Sequence, residues 1–287
     1  MHKELRLLVD EILVDFTGSE PVSAYFFKRS QHERALRQDL LPFFVYHAVG
    51  GQGRERAMPL LACWSLYLAG CHFLDDAQDN GRPEQVNHAM VALGAGQIAL
   101  SQLETTAETL RDIMDALGRV TAIAAKAQNR EGAAWRNWSR ADYFQIIGGK
   151  AAAIIAGGTW LGGRLAEADA QTLMTLKEFG LALGMAFQLG DDYQDLAEDL
   201  ANGIYTLPII EGLSMIDHSE RPLLARLLDQ PQLSPETVNQ VIFLLESMGA
   251  VAACQRITRA YQLQAAAVFT MLPGLEPYFA DYVAISD

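Results

Sequence analysis

Lysine is scarce in this chain: five of 287 residues, at positions 3, 28, 126, 150 and 177. Acidic side chains outnumber basic ones 35 to 22, for a formal charge of −13. Without clustered Lys and Arg there is no counterion release to drive nucleic-acid binding, and the acid surplus disfavours anionic membrane surfaces. Cysteine is rare too. Cys63, Cys71 and Cys254 are an odd number at spacings unlike a metal or redox motif, so a reducing, cytoplasmic setting is expected. No apolar run behind the charged Met1–Glu4 segment is long enough to read as a signal peptide. Uninterrupted apolar runs of ~18 residues are missing as well, so no membrane span is expected. The most apolar stretch, Ile146–Leu161, is broken by Lys150 and four Gly. Walker A, HExxH, GxSxG and EF-hand patterns do not occur.

Proline is absent between Pro83 and Pro208, which suits long helices because Pro breaks a helix interior. Apolar residues step by three and four at Leu5, Leu8 and Ile12. They do so again at Leu173, Leu176, Phe179, Leu183 and Phe187, and at Ile242, Leu245, Met248 and Val251. Strict strand-type alternation is nearly absent. Breaks are expected at Gly18–Pro21, Gly50–Arg56, Asn80–Pro83, Gly118, Gly162–Gly163, Asn202–Gly203, Asp217–Pro222, Gln230–Pro235 and Pro273–Gly274. None is long enough to be a domain linker. The expectation is one all-α domain over residues 1–287, of about ten to twelve helices.

Against this background two acidic clusters stand out: Asp75-Asp76-Ala77-Gln78-Asp79 and Asp191-Asp192-Tyr193-Gln194-Asp195. Both are DDxxD. On a helix Asp75 and Asp79 project together, as do Asp191 and Asp195, with Asp76 and Asp192 about 100° around. Like charges at i and i+4 repel by a few tenths of a kcal/mol. A lone DDxxD in an acidic chain reads as a solvated helix face. Here there are two, each following an apolar stretch (Leu60–Leu74 and Leu181–Leu189), so burial would demand neutralising cations. Mg²⁺ suits this chemistry: it takes carboxylate oxygens, keeps waters and completes its shell with phosphate oxygens.

On these residues the chain resembles the trans-isoprenyl diphosphate synthase (polyprenyl synthetase) family. Asp199-Leu200-Ala201-Asn202-Gly203-Ile204-Tyr205-Thr206-Leu207-Pro208 is similar to the family's D-x-x-x-G-K-x-T-L-P run, Lys150 falls on a diphosphate-contacting Lys, and Gln188 on the Gln of F-Q-x-x-D-D. The resemblance implies mostly antiparallel helices around a central cavity (the isoprenoid synthase fold) and a homodimer. It implies three Mg²⁺ ions held between Asp75, Asp76, Asp79, Asp191, Asp192 and Asp195. It also implies ionisation of an allylic prenyl diphosphate followed by condensation with isopentenyl diphosphate. Lys150, Gln188, Arg82 and Thr206 would contact substrate. Gly70 and Cys71, just before the first cluster, fall where the family gates the depth of its product cavity. Being small, they point to products of C20 or longer, unless Gly70 only serves close helix packing or Trp64 or Tyr67 blocks the tunnel.

The chain also departs from the family. A basic G-G-K-R-x-R-P run aligns with Leu36-Arg37-Gln38-Asp39-Leu40-Leu41-Pro42, putting Gln38-Asp39 at the Lys-Arg pair and Leu41 at the next Arg. Only Arg82 stands where an Arg-Arg pair follows the first cluster. Ile204 and Ala151 replace a Lys and a Thr. Each charge-assisted hydrogen bond contributes about 1.5–3 kcal/mol, so the second, metal-free diphosphate loses much of its expected hold unless Arg34, Arg37, Arg54 or Arg56 compensates. Three readings stay open: an elongating synthase, a cyclase-like or other-acceptor prenyltransferase using the same ionisation site, and a non-catalytic binding or regulatory subunit.

Weaker signals remain. Trp135 and Trp138, near Arg130, Arg136 and Arg140, read either as cation–π partners of a cavity or as core packing. Gly94-Ala95-Gly96-Gln97-Ile98-Ala99 matches GxGxxA without a preceding strand, which points to close helix packing.

Overall fold

The computed structural model describes residues 2–14, 16, 19–29, 38–79, 81–131, 138–230 and 232–283, at 2, 29 and 79 the backbone alone. No strand occurs among them. In chain order the helices are α1 (His2–Leu13), α2 (Glu20–Arg29), α3 (Leu41–Ala48), α4 (Arg54–Asp79), α5 (Glu84–Ser101), α6 (Ala107–Glu131) and α7 (Arg140–Ile147). A π-helical turn, Gly148–Ala152, leads into α8 (Ala153–Leu165) and α9 (Ala170–Gln194). Then come α10 (Leu196–Ala201), α11 (Leu207–Ser214), α12 (Arg221–Leu228), α13 (Pro235–Ser247), α14 (Ala250–Ala267) and α15 (Glu276–Val283). The all-α expectation is borne out.

Two compact units share the chain. One comprises Met1–Ala116 and Gly158–Leu176, the other Leu117–Gly157 and Lys177–Asp287. The chain passes between them inside α6, α8 and α9.

The first unit is built on α4. From Leu60 to Ala69 every residue is buried, including Trp64 and Leu66. A helix apolar on all sides needs neighbours on all sides. Small residues let them come close. Gly96 of α5 would put a Cβ 3.4 Å from the Cys63 carbonyl oxygen, and Gly158 of α8 one 2.7 Å from Trp64. The GxGxxA segment is thus a packing surface, as expected. By length and composition alone α4 could cross a membrane, with a mean hydropathy of 1.4, but 72 % of that window is buried inside the protein.

The second unit has two apolar clusters. Leu200, Tyr205, Ile209, Leu224, Val241 and Leu245 join α10 to α14. Tyr143, Ile147, Ala152, Met185, Leu189, Leu207 and Cys254 join α7, α9, α11 and α14. Ser139 starts α7 with a capping box: its hydroxyl accepts from Asp142 N–H, and the Asp142 carboxylate accepts from Ser139 N–H.

Two expected breaks do not occur. Gly118 lies within α6, and Gly162–Gly163 within α8. Gly162 is there because the Pro42 carbonyl oxygen lies 2.3 Å from where its Cβ would be. Tight packing, rather than chain reversal, accounts for that glycine. Conversely, the periodic run Ile242–Val251 crosses a bend of 66° between α13 and α14. Gly249 makes that bend with φ +79°, a left-handed conformation open to glycine.

Candidate active site

Both acidic clusters lie at the C-terminal ends of long helices: Asp75, Asp76 and Asp79 on α4 of 26 residues, Asp191 and Asp192 on α9 of 25 residues. Asp195 follows directly, its N–H still bonded to the Asp191 carbonyl at 2.8 Å, so the i, i+4 stacking survives. This is an adverse place for anions. A helix C-terminus carries partial negative charge, and each carboxylate there costs about 0.3–1 kcal/mol. Neither helix has a basic residue in its last turn to offset it.

Within the first unit Asp75 and Asp76 are half-buried, while the Asp79 side chain is outside the described residues. Gly70 faces α5, where a Cβ would meet Leu93 at 2.8 Å, and Cys71 is half-buried. Trp64 and Tyr67 stack with ring centroids 5.7 Å apart. Arg82 is exposed in the turn before α5. Asp39 is buried, 3 % exposed, and the neighbouring Gln38 carbonyl accepts from Trp64 Nε1 at 3.0 Å. Arg54 pairs with Glu4, and Arg56 with Glu167 at 2.7 Å. Arg34 and Arg37 lie outside the described residues.

In the second unit Asp191 is half-buried, Asp195 exposed and Asp192 buried. Gln188 Nε2 donates to Asp192 Oδ1 at 3.0 Å, Leu207 N–H donates to Oδ2 at 3.4 Å, and the Tyr143 hydroxyl donates to Oδ2 as well. Burial pushes the Asp192 carboxyl up to about 6. Asp199, also pushed up by burial and then by Asp192 and Asp195, reaches about 7. Burial, with Asp192 beside it, holds the Tyr143 phenol well above its usual range. Lys150 sits in the π turn with Nζ 2.6 Å from Glu131 Oε2. Thr206, at the N-cap of α11, leaves its helix uncapped, and its buried Oγ1 has no hydrogen-bond partner. Trp138 packs against the Tyr143–Cys254 cluster, the core reading of that tryptophan; Trp135 and Arg136 are outside the described residues. Arg140 Nε lies 2.8 Å from Glu211 Oε1. The Cys254 thiol is pushed up to about 12 by burial, which rules it out as a nucleophile at neutral pH.

The raised Asp192 and Asp199 have a consequence for stability. Between pH ~4 and ~7 the folded chain keeps protons that the unfolded chain has released, so stability falls as pH rises through this window. In metal-free buffer the melting temperature should drop from about pH 5 to about pH 8, and Asp199→Asn should flatten that slope. A slope unchanged in the variant would refute the assignment.

Sequence reasoning missed Tyr143 and Glu131, each joined to its partner across the fold. The one trace of Tyr143 in the sequence is its position seven residues, about two turns, before Lys150.

The donors fit Mg²⁺. Among the described residues no three His, Cys, Asp or Glu side chains form a closed metal cage. Mg²⁺ needs none, since it binds through one or two carboxylates, waters and substrate phosphates. In the second unit, carboxylates stacked at the negative end of α9, with the orphaned Thr206 hydroxyl next to the Leu207 N–H that bonds Asp192, are a donor set that a cation and its ligand would complete.

Comparison with known proteins agrees with this arrangement. Residues 77–245, more than half of the chain, match the model of the polyprenyl synthetase family. A short chain isoprenyl diphosphate synthase of Methanothermobacter thermautotrophicus is 28 % identical over 120 residues, covering 38 % of this chain and 36 % of that protein. A geranylgeranyl diphosphate synthase of Mycobacterium tuberculosis is 29 % identical over 126 residues, covering 40 % and 36 %. The matches thus span about a third of the length of these curated relatives. A polyprenyl synthase of Caulobacter crescentus, solved with calcium and isoprenyl diphosphate, superimposes with a TM-score of 0.83 at 18 % identity over 99 % of this chain and 94 % of that one. A geranylgeranyl pyrophosphate synthetase of Geoglobus acetivorans does so with a TM-score of 0.84 at 18 % identity over 98 % and 97 %. The fold is therefore that of the isoprenoid synthases, and the chain belongs to the polyprenyl synthetase family.

Proposed function

We propose that this chain is a Mg²⁺-dependent prenyltransferase that ionises an allylic prenyl diphosphate and condenses the cation with isopentenyl diphosphate. The observation that carries it is the placement of six aspartates at or just beyond the C-terminal ends of α4 and α9, with no cation of the chain's own in either last turn. When bound, Mg²⁺ offsets charge on the diphosphate as it leaves. Asp75, Asp76, Asp79, Asp191, Asp192 and Asp195 would hold it. Lys150 would donate to the diphosphate after letting go of Glu131, a partly exposed pair whose loss costs little. The Thr206 hydroxyl and Arg82 would donate to phosphate oxygens. Apolar side chains would keep water from the allylic cation; Gly70 packs against Leu93 of α5, so the small Cys71 alone is left to suit a chain of C20 or longer. A second copy would cover the exposed Val86, Met90 and Ile98 of α5.

A second reading is favoured by one observation: among the described residues, the basic positions that could hold isopentenyl diphosphate are replaced or paired with acids. Arg54 and Arg56 pair with glutamates, and a buried Asp39 stands in place of a base. The cation would then pass to another acceptor. Incubation with Mg²⁺ and geranyl, farnesyl or geranylgeranyl diphosphate, with and without isopentenyl diphosphate, separates the two. Longer prenyl diphosphates formed only with isopentenyl diphosphate support condensation. Diphosphate release that ignores it supports the second reading. No turnover of any allylic diphosphate overturns both.

A further inference from the structure

Asp192 is where three pieces of the second unit meet. Its two carboxylate oxygens accept from the Tyr143 hydroxyl on α7, from Leu207 N–H at the start of α11, and from Gln188 one turn back on α9. Tyr143 is 1 % exposed and Asp192 3 %, so water does not compete for these bonds. The tyrosine ring belongs to an apolar cluster with Ile147, Ala152, Met185 and Leu189. Phenylalanine would fill that space equally well, so packing leaves the hydroxyl unexplained.

What the hydroxyl adds is register. α7 runs into the π turn that carries Lys150, and α9 ends with Asp191 beside Asp195. The two elements are antiparallel and touch at a second point. At Gly184 a Cβ would sit 2.6 Å from Ala152 Cα. Gly184 and Asp192 are about 12 Å apart along α9. The glycine contact brings the backbones together. The Tyr143–Asp192 bond, joining residues 49 apart in sequence, prevents them from sliding.

We infer that Tyr143 is a positioning residue: through Asp192 it sets Lys150 in register with Asp191 and Asp195, the groups assigned above to the diphosphate and its Mg²⁺. The inference rests on that reading of the site.

Tyr143→Phe removes the hydroxyl and keeps the ring. Binding of the unreactive geranylgeranyl thiolodiphosphate is measured by calorimetry across a Mg²⁺ titration, alongside thermal melts. Outer-shell partners of metal ligands typically change metal affinity about 10–100-fold. The Mg²⁺ concentration for half-maximal binding should therefore rise by about tenfold or more in Tyr143→Phe. Thr159→Val, which removes a buried hydroxyl bonded to the Leu176 carbonyl in the first unit, should lose stability without moving that midpoint. The double variant Tyr143→Phe/Asp192→Ala should shift no further than Asp192→Ala alone, since the alanine already removes the acceptor of that contact. An unchanged midpoint in folded Tyr143→Phe, additive shifts, or an equal shift in Thr159→Val overturns the inference. Should Tyr143→Phe fail to fold, Tyr143→Met, which also lacks the hydroxyl, takes its place and must show the same rise. Absence of any Mg²⁺-dependent binding by the wild-type chain is a distinct result that defeats the functional reading and this inference with it.

Discussion

Asp191→Asn should make the protein nearly inactive. The substitution keeps the shape and removes one negative charge from the last turn of α9, where the helix terminus is itself negative and no basic side chain stands nearby in sequence. Removing a single group that stabilises developing charge costs turnover about 10²–10³-fold, and a lost Mg²⁺ ligand acts on that same charge. Asp75→Asn should behave alike at the end of α4. Steady-state rates with geranylgeranyl and isopentenyl diphosphate read the effect. Turnover within about threefold of wild type would remove Asp191 from the machinery, because metal chemistry of this kind contributes several kcal/mol.

Gly162→Ala should destabilise the fold, whereas Gly118→Ala should stabilise it. Both glycines lie inside helices, where alanine is favoured over glycine by about 1 kcal/mol. At Gly118 nothing lies within 4 Å of the new methyl group, so the whole gain is realised. At Gly162 the methyl would fall 2.3 Å from the Pro42 carbonyl oxygen and 3.1 Å from its carbon. Backbone atoms cannot rotate aside as a flexible side chain does. Overpacking of this kind costs about 1–3 kcal/mol, enough to reverse the propensity gain. Gly162→Leu should be worse still and prevent α8 from seating on α3. Chemical denaturation of the two alanine variants decides it, and a stabilised Gly162→Ala would mean that α3 yields.

These two glycines illustrate what a linear reading can and cannot see. In the sequence both looked like helix breaks, because glycine lowers helix propensity and nothing local says otherwise. Only a neighbour remote in sequence distinguishes a packing glycine from an idle one. Gly249 is the converse case. Its flanking apolar residues keep helical spacing on both sides, so periodicity alone read through a 66° bend.

The acidic clusters were legible for a different reason. An i, i+4 pair of carboxylates after an apolar stretch is a local pattern, and the helix turns it into a shared face whatever surrounds it. Asp75, Asp79, Asp191 and Asp195 could thus be named from spacing. So could the all-α class, from proline placement and the period of Leu173 to Phe187. The differences among the six aspartates were hidden. Asp192 is buried among three donors while Asp195 is exposed, a distinction set by Tyr143, Gln188 and the start of α11 packing over one residue and leaving the other. The pairing of Lys150 with Glu131 was equally invisible.

By itself, then, the sequence determined the helical class, the two acidic faces and the scarcity of lysine, since each depends on residue type and near-neighbour spacing. The tertiary structure decided which glycines bend and which pack, which aspartate of the second cluster is buried, and that Asp39 is buried. Those outcomes depend on contacts between residues tens of positions apart, whose free energy is gained only when the chain is folded.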